Sequence, residues 1–187
     1  MGAEIVLLVL ASAAIHPFWN LLVKKNLDPQ FGYLCVTTTV AICGLAHGLL
    51  TNANFSALFS VLPLILISVI GQFLYGTCLT ATLKRGDLSV YYPVIRASPV
   101  FIVLVSVLLL GKTYPPVILI GIAMAIAGGF LLLYRRGTRL LDDPRALGFA
   151  FLAMSGTGIY SLADSRMMET ISPPVLAFAV DGILAPI

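Results

Sequence analysis

Stretches of about 20 apolar residues recur along almost the whole chain, and no other feature constrains its fold as strongly. An α-helix of about 20 mostly apolar residues is long enough to cross roughly 30 Å of hydrocarbon. The residues are 59% hydrophobic and only 10% charged, whereas soluble domains are about a quarter charged. We therefore predict an all-α integral membrane protein that passes through the plasma (inner) membrane several times.

Six of these apolar runs are complete, and polar turns separate them. Their approximate limits are 3–23, 31–50, 58–83, 88–110, 116–134 and 146–165. The long polar segment 135–145 is interpreted as a linker between two halves, 1–134 and 146–187. The apolar stretch from Val175 to Ile187 is too short to span, so the second half holds one full helix and part of another. We expect the chain to be a truncated piece of a larger, transporter-sized protein.

The positive charges lie mainly at the ends of apolar runs, which indicates membrane topology and argues against a nucleic-acid partner. Eight of the eleven lysines and arginines follow the first, third and fifth runs: Lys24, Lys25, Lys84, Arg85, Arg135, Arg136, Arg139 and Arg145. This bias alone places those loops in the cytoplasm and the N-terminus outside.

The three cysteines lie in apolar runs without a C-x-x-C spacing: Cys35, Cys43 and Cys78. His16 and His47 do not complete a ligand cluster with them. We therefore predict no disulfide, no metal site and no cofactor.

Arg96 lies about eight residues into the fourth run, which at 1.5 Å per residue places it near the bilayer centre. An arginine there costs about 2.5 to 3.5 kcal/mol, so it should face a cavity or an acidic partner. One interpretation is an anchor for the carboxylate or phosphate of an anionic substrate, and the other is an internal ion pair or contact with carbonyls. Pro93 and Pro99 on either side either free carbonyls that line a site or simply kink the helix.

Two groups of polar side chains on other helices are further candidates for substrate binding. His16, Trp19 and Asn20 share one face of the first helix, and Gln72 and Tyr75 are one turn apart in the third. Polar helix packing, together with an interfacial position for the tryptophan, is the alternative explanation.

Tyr92 and Asp164 complete the set of candidate site residues. Tyr91 and Tyr92 suit either the headgroup region or a substrate contact. Asp164 either relays protons in coupled transport or snorkels to the interface. None of the candidates is assigned a catalytic role.

Small residues repeat at four-residue intervals in the fifth run, at Gly121, Ala125 and Gly129. This stripe suits close packing between helices of one chain, and the alternative is the seam of a homodimer.

A possible internal repeat relates the two halves. A shift of 144 residues aligns Asn20 with Asp164 and also Pro29 with Pro173. If one unit holds five helices, an odd number, the second unit must enter the membrane from the opposite face. Inverted repeats would then place a site near the midplane between the halves.

Five segments carry a family resemblance: Ala14–Lys24, Gly86–Val100, Leu108–Gly111, Gly121–Leu133 and Gly158–Met168. The three middle segments resemble the end of the EamA-type repeat of the drug/metabolite transporter superfamily, while the first is similar to the first helix of that family and the last to its sixth. The resemblance implies ten helices in two inverted five-helix repeats, so that 1–134 is the first repeat and 146–187 begins the second. It also implies transport of small organic solutes. Lys112 departs from the family, which usually has an acidic residue at that position. The family's termini are cytoplasmic, whereas the charge bias places the N-terminus of this chain outside, so the orientation stays open.

The most favoured function is therefore a secondary carrier or exporter of small organic metabolites that works by alternating access in the lipid bilayer. A non-transporting membrane subunit or an inactive truncated fragment is the alternative. An intramembrane enzyme is disfavoured because the sequence lacks H-E-x-x-H, and Ala153 stands where a G-x-S-G motif needs its first glycine.

Overall fold

The structure is a computed structural model that describes residues 4, 6–8, 10–12, 14, 15, 29–85, 88–135 and 142–186. The described residues before Pro29 are helical. From Pro29 onward we number the helices α1 Pro29–Leu50, α2 Leu62–Arg85, α3 Leu88–Ile95, α4 Ser98–Leu110, α5 Pro116–Arg135, α6 Pro144–Met167 and α7 Pro173–Leu184, with a 3₁₀ helix, Ser56–Val61, before α2. Throughout the described part of the chain, the regular structure is helical, as predicted.

Within the described ranges, three helical segments are long and apolar enough to cross a membrane. They are Ser56–Arg85, Val90–Leu110 and Pro144–Met167, and shorter apolar helices occupy Leu34–Leu50, Pro116–Leu131 and Pro173–Leu184. Large apolar side chains point outward, such as Leu108 at 70% and Leu109 at 77% exposure, while Ser68 is fully buried. A water-soluble protein has the opposite distribution, so the chain is an integral membrane protein whose outer surface suits lipid.

Prolines and one aspartate determine where several helices begin. α1 starts at Pro29 and α7 at Pro173, because proline lacks the N–H that the first helical turn leaves unpaired. At α6, Oδ1 of Asp143 accepts hydrogen bonds from the backbone N–H groups of Arg145 (3.0 Å) and Ala146 (3.1 Å). This N-cap fixes the start of the helix at Pro144. Residues 136–141 of the predicted linker lie outside the described residues.

The most extensive helix pairing joins α2 to α6 at two glycines. A Cβ added at Gly71 would lie 2.7 Å from the Tyr160 nitrogen, and one added at Gly156 would lie 2.7 Å from the Tyr75 nitrogen. Only glycine therefore allows the two backbones to come this close. The contacts run in opposite order along the two helices, so α2 and α6 are antiparallel.

A second antiparallel pair, α1 and α7, also meets at a glycine. A Cβ added at Gly44 would lie 2.8 Å from the Phe178 nitrogen and 2.8 Å from the Pro174 oxygen. Further back along α1, Ala41 lies beside Gly182 of α7. Glycine again sets the distance between the helices.

The fourth apolar run, predicted as one helix over 88–110, is divided into α3 and α4 by Arg96 and Ala97. Pro93 and Pro99 lack the N–H groups that an unbroken helix would use at these positions, which explains the interruption. Each side of the break is also held by a neighbouring helix: Pro93 lies against Gly129 of α5, and the Phe101 ring lies over Gly158 of α6.

Candidate functional site

Arg96 occupies the break between α3 and α4, and it is the cation that the sequence analysis singles out inside an apolar run. Its guanidinium carbon lies 4.8 Å from the centroid of the Tyr92 ring, and the group also donates a hydrogen bond to the Tyr92 hydroxyl. The two predicted site residues are thus one contact pair, joined by a cation–π interaction. Among the described residues, the Arg96 side chain is exposed.

Two tyrosines from α2 and α6 lie near this arginine. The rings of Tyr75 and Tyr160 are edge to face, with centroids 6.1 Å apart, and both hydroxyls lie within electrostatic range of Arg96. Each ring belongs to a residue whose backbone contacts a glycine of the other helix, so the close crossing places the rings opposite each other. Tyr75 was predicted, whereas Tyr160 was missed; its spacing of four residues from Asp164 puts both on one face of α6 and was the available signal.

Asp164 lies in the interface between α2 and α6. Its Oδ1 accepts a hydrogen bond of 2.5 Å from the hydroxyl of Ser68, a side chain that is fully buried. The carboxylate is therefore engaged inside the helix bundle, which disagrees with a snorkelling position at the interface with the headgroups.

Asp181 of α7 is a second acidic residue in this region, and its carboxyl group lies within electrostatic range of the Asp164 carboxyl group. The sequence alone gave no basis for assigning it, because it falls in the short final apolar stretch. Asp164 in turn lies within electrostatic range of the Tyr160 hydroxyl.

The remaining predicted residues have different outcomes. Gln72 is partly buried on α2, close to Tyr75 in sequence. His16, Trp19 and Asn20 lie outside the described residues, so their proposed shared face stays a prediction.

Tyr91, which the sequence assigns to the headgroup region or to substrate, is instead a core residue. Only 4% of it is exposed, and it packs beside Ala146 and Ala150 of α6. Its hydroxyl donates a long hydrogen bond of 3.5 Å to the carbonyl of Asp143. Tyr91 and Tyr92 are neighbours in sequence, but α3 turns one inward to α6 and the other to Arg96.

Two open clefts lie elsewhere in the structure. One, of about 880 Å³, lies between the end of α1 and the start of α7 and includes Cys43, His47 and Asn54 in its lining. The other, of about 380 Å³, is an apolar groove between α4 and α5. Neither cleft contains a predicted site residue. Among the residues that the structure describes, no group of three His, Cys, Asp or Glu side chains is placed to hold a metal ion.

The glycine stripe of α5 packs at one end only. Gly129 meets Pro93, whereas a Cβ added at Gly121 would find no atom within 4 Å. Close packing within the chain thus accounts for part of the stripe, and the homodimer seam stays a prediction.

The sequence model of the EamA-like transporter family matches residues 3–134, which is most of the chain. No curated protein and no solved structure matches it.

Proposed function

Since the chain belongs to the EamA-like transporter family, of the drug/metabolite transporter superfamily, we propose that it is a secondary carrier of small organic metabolites. Transport by alternating access moves one group of helices against another around a central solute site. The arrangement of polar side chains at the break between α3 and α4 suits such a site.

The observation that carries this proposal is the position of Arg96 in an interrupted helix beside three tyrosines. A charged side chain in a membrane span is costly, about 2.5 to 3.5 kcal/mol for arginine at the helix centre, and marks a solute pathway when it faces a cavity. The guanidinium plane matches a carboxylate or phosphate through two parallel hydrogen bonds. Tyr75, Tyr92 and Tyr160 would add aromatic surface for the rest of the solute. We propose an organic anion as the substrate class.

The pairing of helices supports a multi-pass topology with inverted repeats. The third apolar run pairs antiparallel with the sixth, and the second with the seventh, as expected if consecutive runs cross the membrane in alternate directions. α1 and α7, which the 144-residue shift relates, both begin at the aligned prolines Pro29 and Pro173. A two-fold axis through their antiparallel crossing would exchange the two helices. We propose that 146–187 begins a second, inverted repeat in a plasma-membrane carrier.

Uptake into proteoliposomes tests the proposed function. A panel of labelled carboxylates and phosphates is offered to vesicles that contain the wild-type protein, the Arg96→Gln variant or the Lys112→Gln variant. Lys112 is a matched control, because it is an exposed cation in the turn after α4, away from the candidate site.

We expect the wild-type protein and the Lys112 variant to transport at least one organic anion, and the Arg96 variant to lose most of that uptake. No uptake of any compound above protein-free vesicles would favour the non-transporting membrane subunit instead. Equal uptake by all three proteins would remove Arg96 from the solute site while leaving a carrier function in place.

A further inference from the structure

A separate group of basic side chains lies where α2 ends and α6 begins, at the other end of the α2–α6 pair from Ser68 and Asp164. We propose that Arg85 and Arg145 form a binding site for the phosphate group of an anionic phospholipid. This inference goes beyond solute transport and depends on a different part of the molecule.

The register of α2 against α6 brings the two arginines to the same level. Tyr75 lies beside Gly156, and ten residues further along α2 and ten back along α6 lead to Arg85 and Ala146. Both helices rise about 1.5 Å per residue, so Arg85 ends level with the first turn of α6. Arg145 belongs to that turn.

A contact with Phe149 fixes the side on which Arg85 lies. The guanidinium carbon of Arg85 is 5.6 Å from the centroid of the Phe149 ring. Arg145 and Phe149 are four residues apart on α6 and so share one face. The two arginines therefore lie on the same face of the bundle, and both are exposed.

The immediate surroundings leave both guanidinium groups available for an anion. Among the residues that the structure describes, neither arginine forms a salt bridge. The nearby Asp143 carboxylate accepts hydrogen bonds from the first backbone N–H groups of α6, so it caps the helix. Asp142 is an exposed acid in the same turn that weakens the positive field without cancelling two arginines.

The surface of α6 that continues from Arg145 toward the middle of the helix indicates a lipid as the source of the phosphate. Leu152, one turn deeper than Phe149 on the same face of α6, is 47% exposed. Along this face, a cation is thus followed by an aromatic ring and then an aliphatic side chain, in the order that a headgroup and its acyl chain require. Basic pockets between membrane helices are known to bind anionic lipid headgroups.

The core beneath the site holds the helix ends in place. Ala146 and Ala150 are fully buried against Val90 of α3 and Cys78 of α2. Small buried side chains keep the three helices close, so the backbones of the two arginines are held in fixed positions.

Lipid binding to the purified protein tests the proposal. Dioleoyl phosphatidylglycerol and dioleoyl phosphatidylcholine are titrated against the protein in detergent, and bound lipid is counted by native mass spectrometry. Three double variants are compared: R85Q with R145Q, R85K with R145K, and the control K112Q with R166Q, which removes two cations from the opposite ends of the helices. Size-exclusion elution and helical circular dichroism establish that each variant is folded.

We expect phosphatidylglycerol to bind at least tenfold more tightly than phosphatidylcholine to the wild-type protein and to the control. The glutamine pair should lose that preference, and the lysine pair, which keeps the charge without the planar fork, should keep part of it. If the glutamine pair does not fold, a preference of the lysine pair equal to that of the wild type would overturn the site. An unchanged preference for phosphatidylglycerol in the folded glutamine pair would also overturn the site. So would glycerol 3-phosphate if it displaced phosphatidylglycerol at the same concentration, because the site would then bind a free phosphate.

Discussion

The Ser68 hydroxyl donates a hydrogen bond of 2.5 Å to Oδ1 of Asp164, which joins α2 to α6 beside the candidate site. Because Ser68 is fully buried, water cannot replace it as a donor without a rearrangement of the two helices. This bond connects a buried polar residue that sequence analysis did not single out to an acidic residue that it did.

We predict that Ser68→Ala destabilises the protein by roughly 1.5 to 3 kcal/mol, the usual contribution of a hydrogen bond to a charged group. Thermal unfolding in detergent, followed by circular dichroism, measures the effect. Ser165→Ala is a matched control, because the exposed Ser165 hydroxyl bonds only to the Leu162 carbonyl of its own helix. A decrease of equal size in both variants would show that the bond to Asp164 has no special role.

The glycine crossing gives a second prediction. Gly156→Ala should destabilise by about 1 to 3 kcal/mol, because its Cβ would lie 2.7 Å from backbone atoms of α2 that have no room to move. Gly148→Ala in the same helix, where an added Cβ meets nothing within 4 Å, should be neutral or stabilise by up to about 1 kcal/mol. Thermal unfolding compares the two, and similar behaviour would mean that α2 and α6 are less tightly packed than described.

A third prediction concerns the contact that holds α4 after the break. A Cβ added at Gly158 would overlap the Phe101 ring, so Gly158→Ala should destabilise the protein and reduce transport. Phe101→Leu, which shortens the opposing side chain, should recover most of both losses in the double variant. Such strong non-additivity is expected only for residues in direct contact. Additive effects of the two changes would contradict this contact.

The sequence predicted the helical, membrane-spanning character and a distortion of the fourth helix at its two prolines, because these depend on local properties. Apolar length sets a span, and Pro93 and Pro99 remove backbone donors wherever the helix lies.

The pairing of helices could not be read from the sequence in the same way. The sequence on either side of Gly71 or Gly156 does not predict that these two residues are in contact, because the contact depends on how α2 crosses α6. Tyr160 was missed for that reason, because its importance comes from Tyr75 on the other helix. The sequence also treated Tyr91 and Tyr92 alike, whereas the orientation of α3 separates them.

The central claim is that Arg96 binds the anionic group of a transported solute, and a matched pair of compounds tests it most directly. Competition for uptake in proteoliposomes is measured with a transported carboxylate and with its uncharged methyl ester, for the wild-type protein and Arg96→Gln. We predict that the wild type prefers the carboxylate by about tenfold to a hundredfold, as a charge-assisted hydrogen bond of about 1.5 to 3 kcal/mol implies, and that the variant shows no preference. A variant that still prefers the carboxylate as strongly as the wild type would contradict the account.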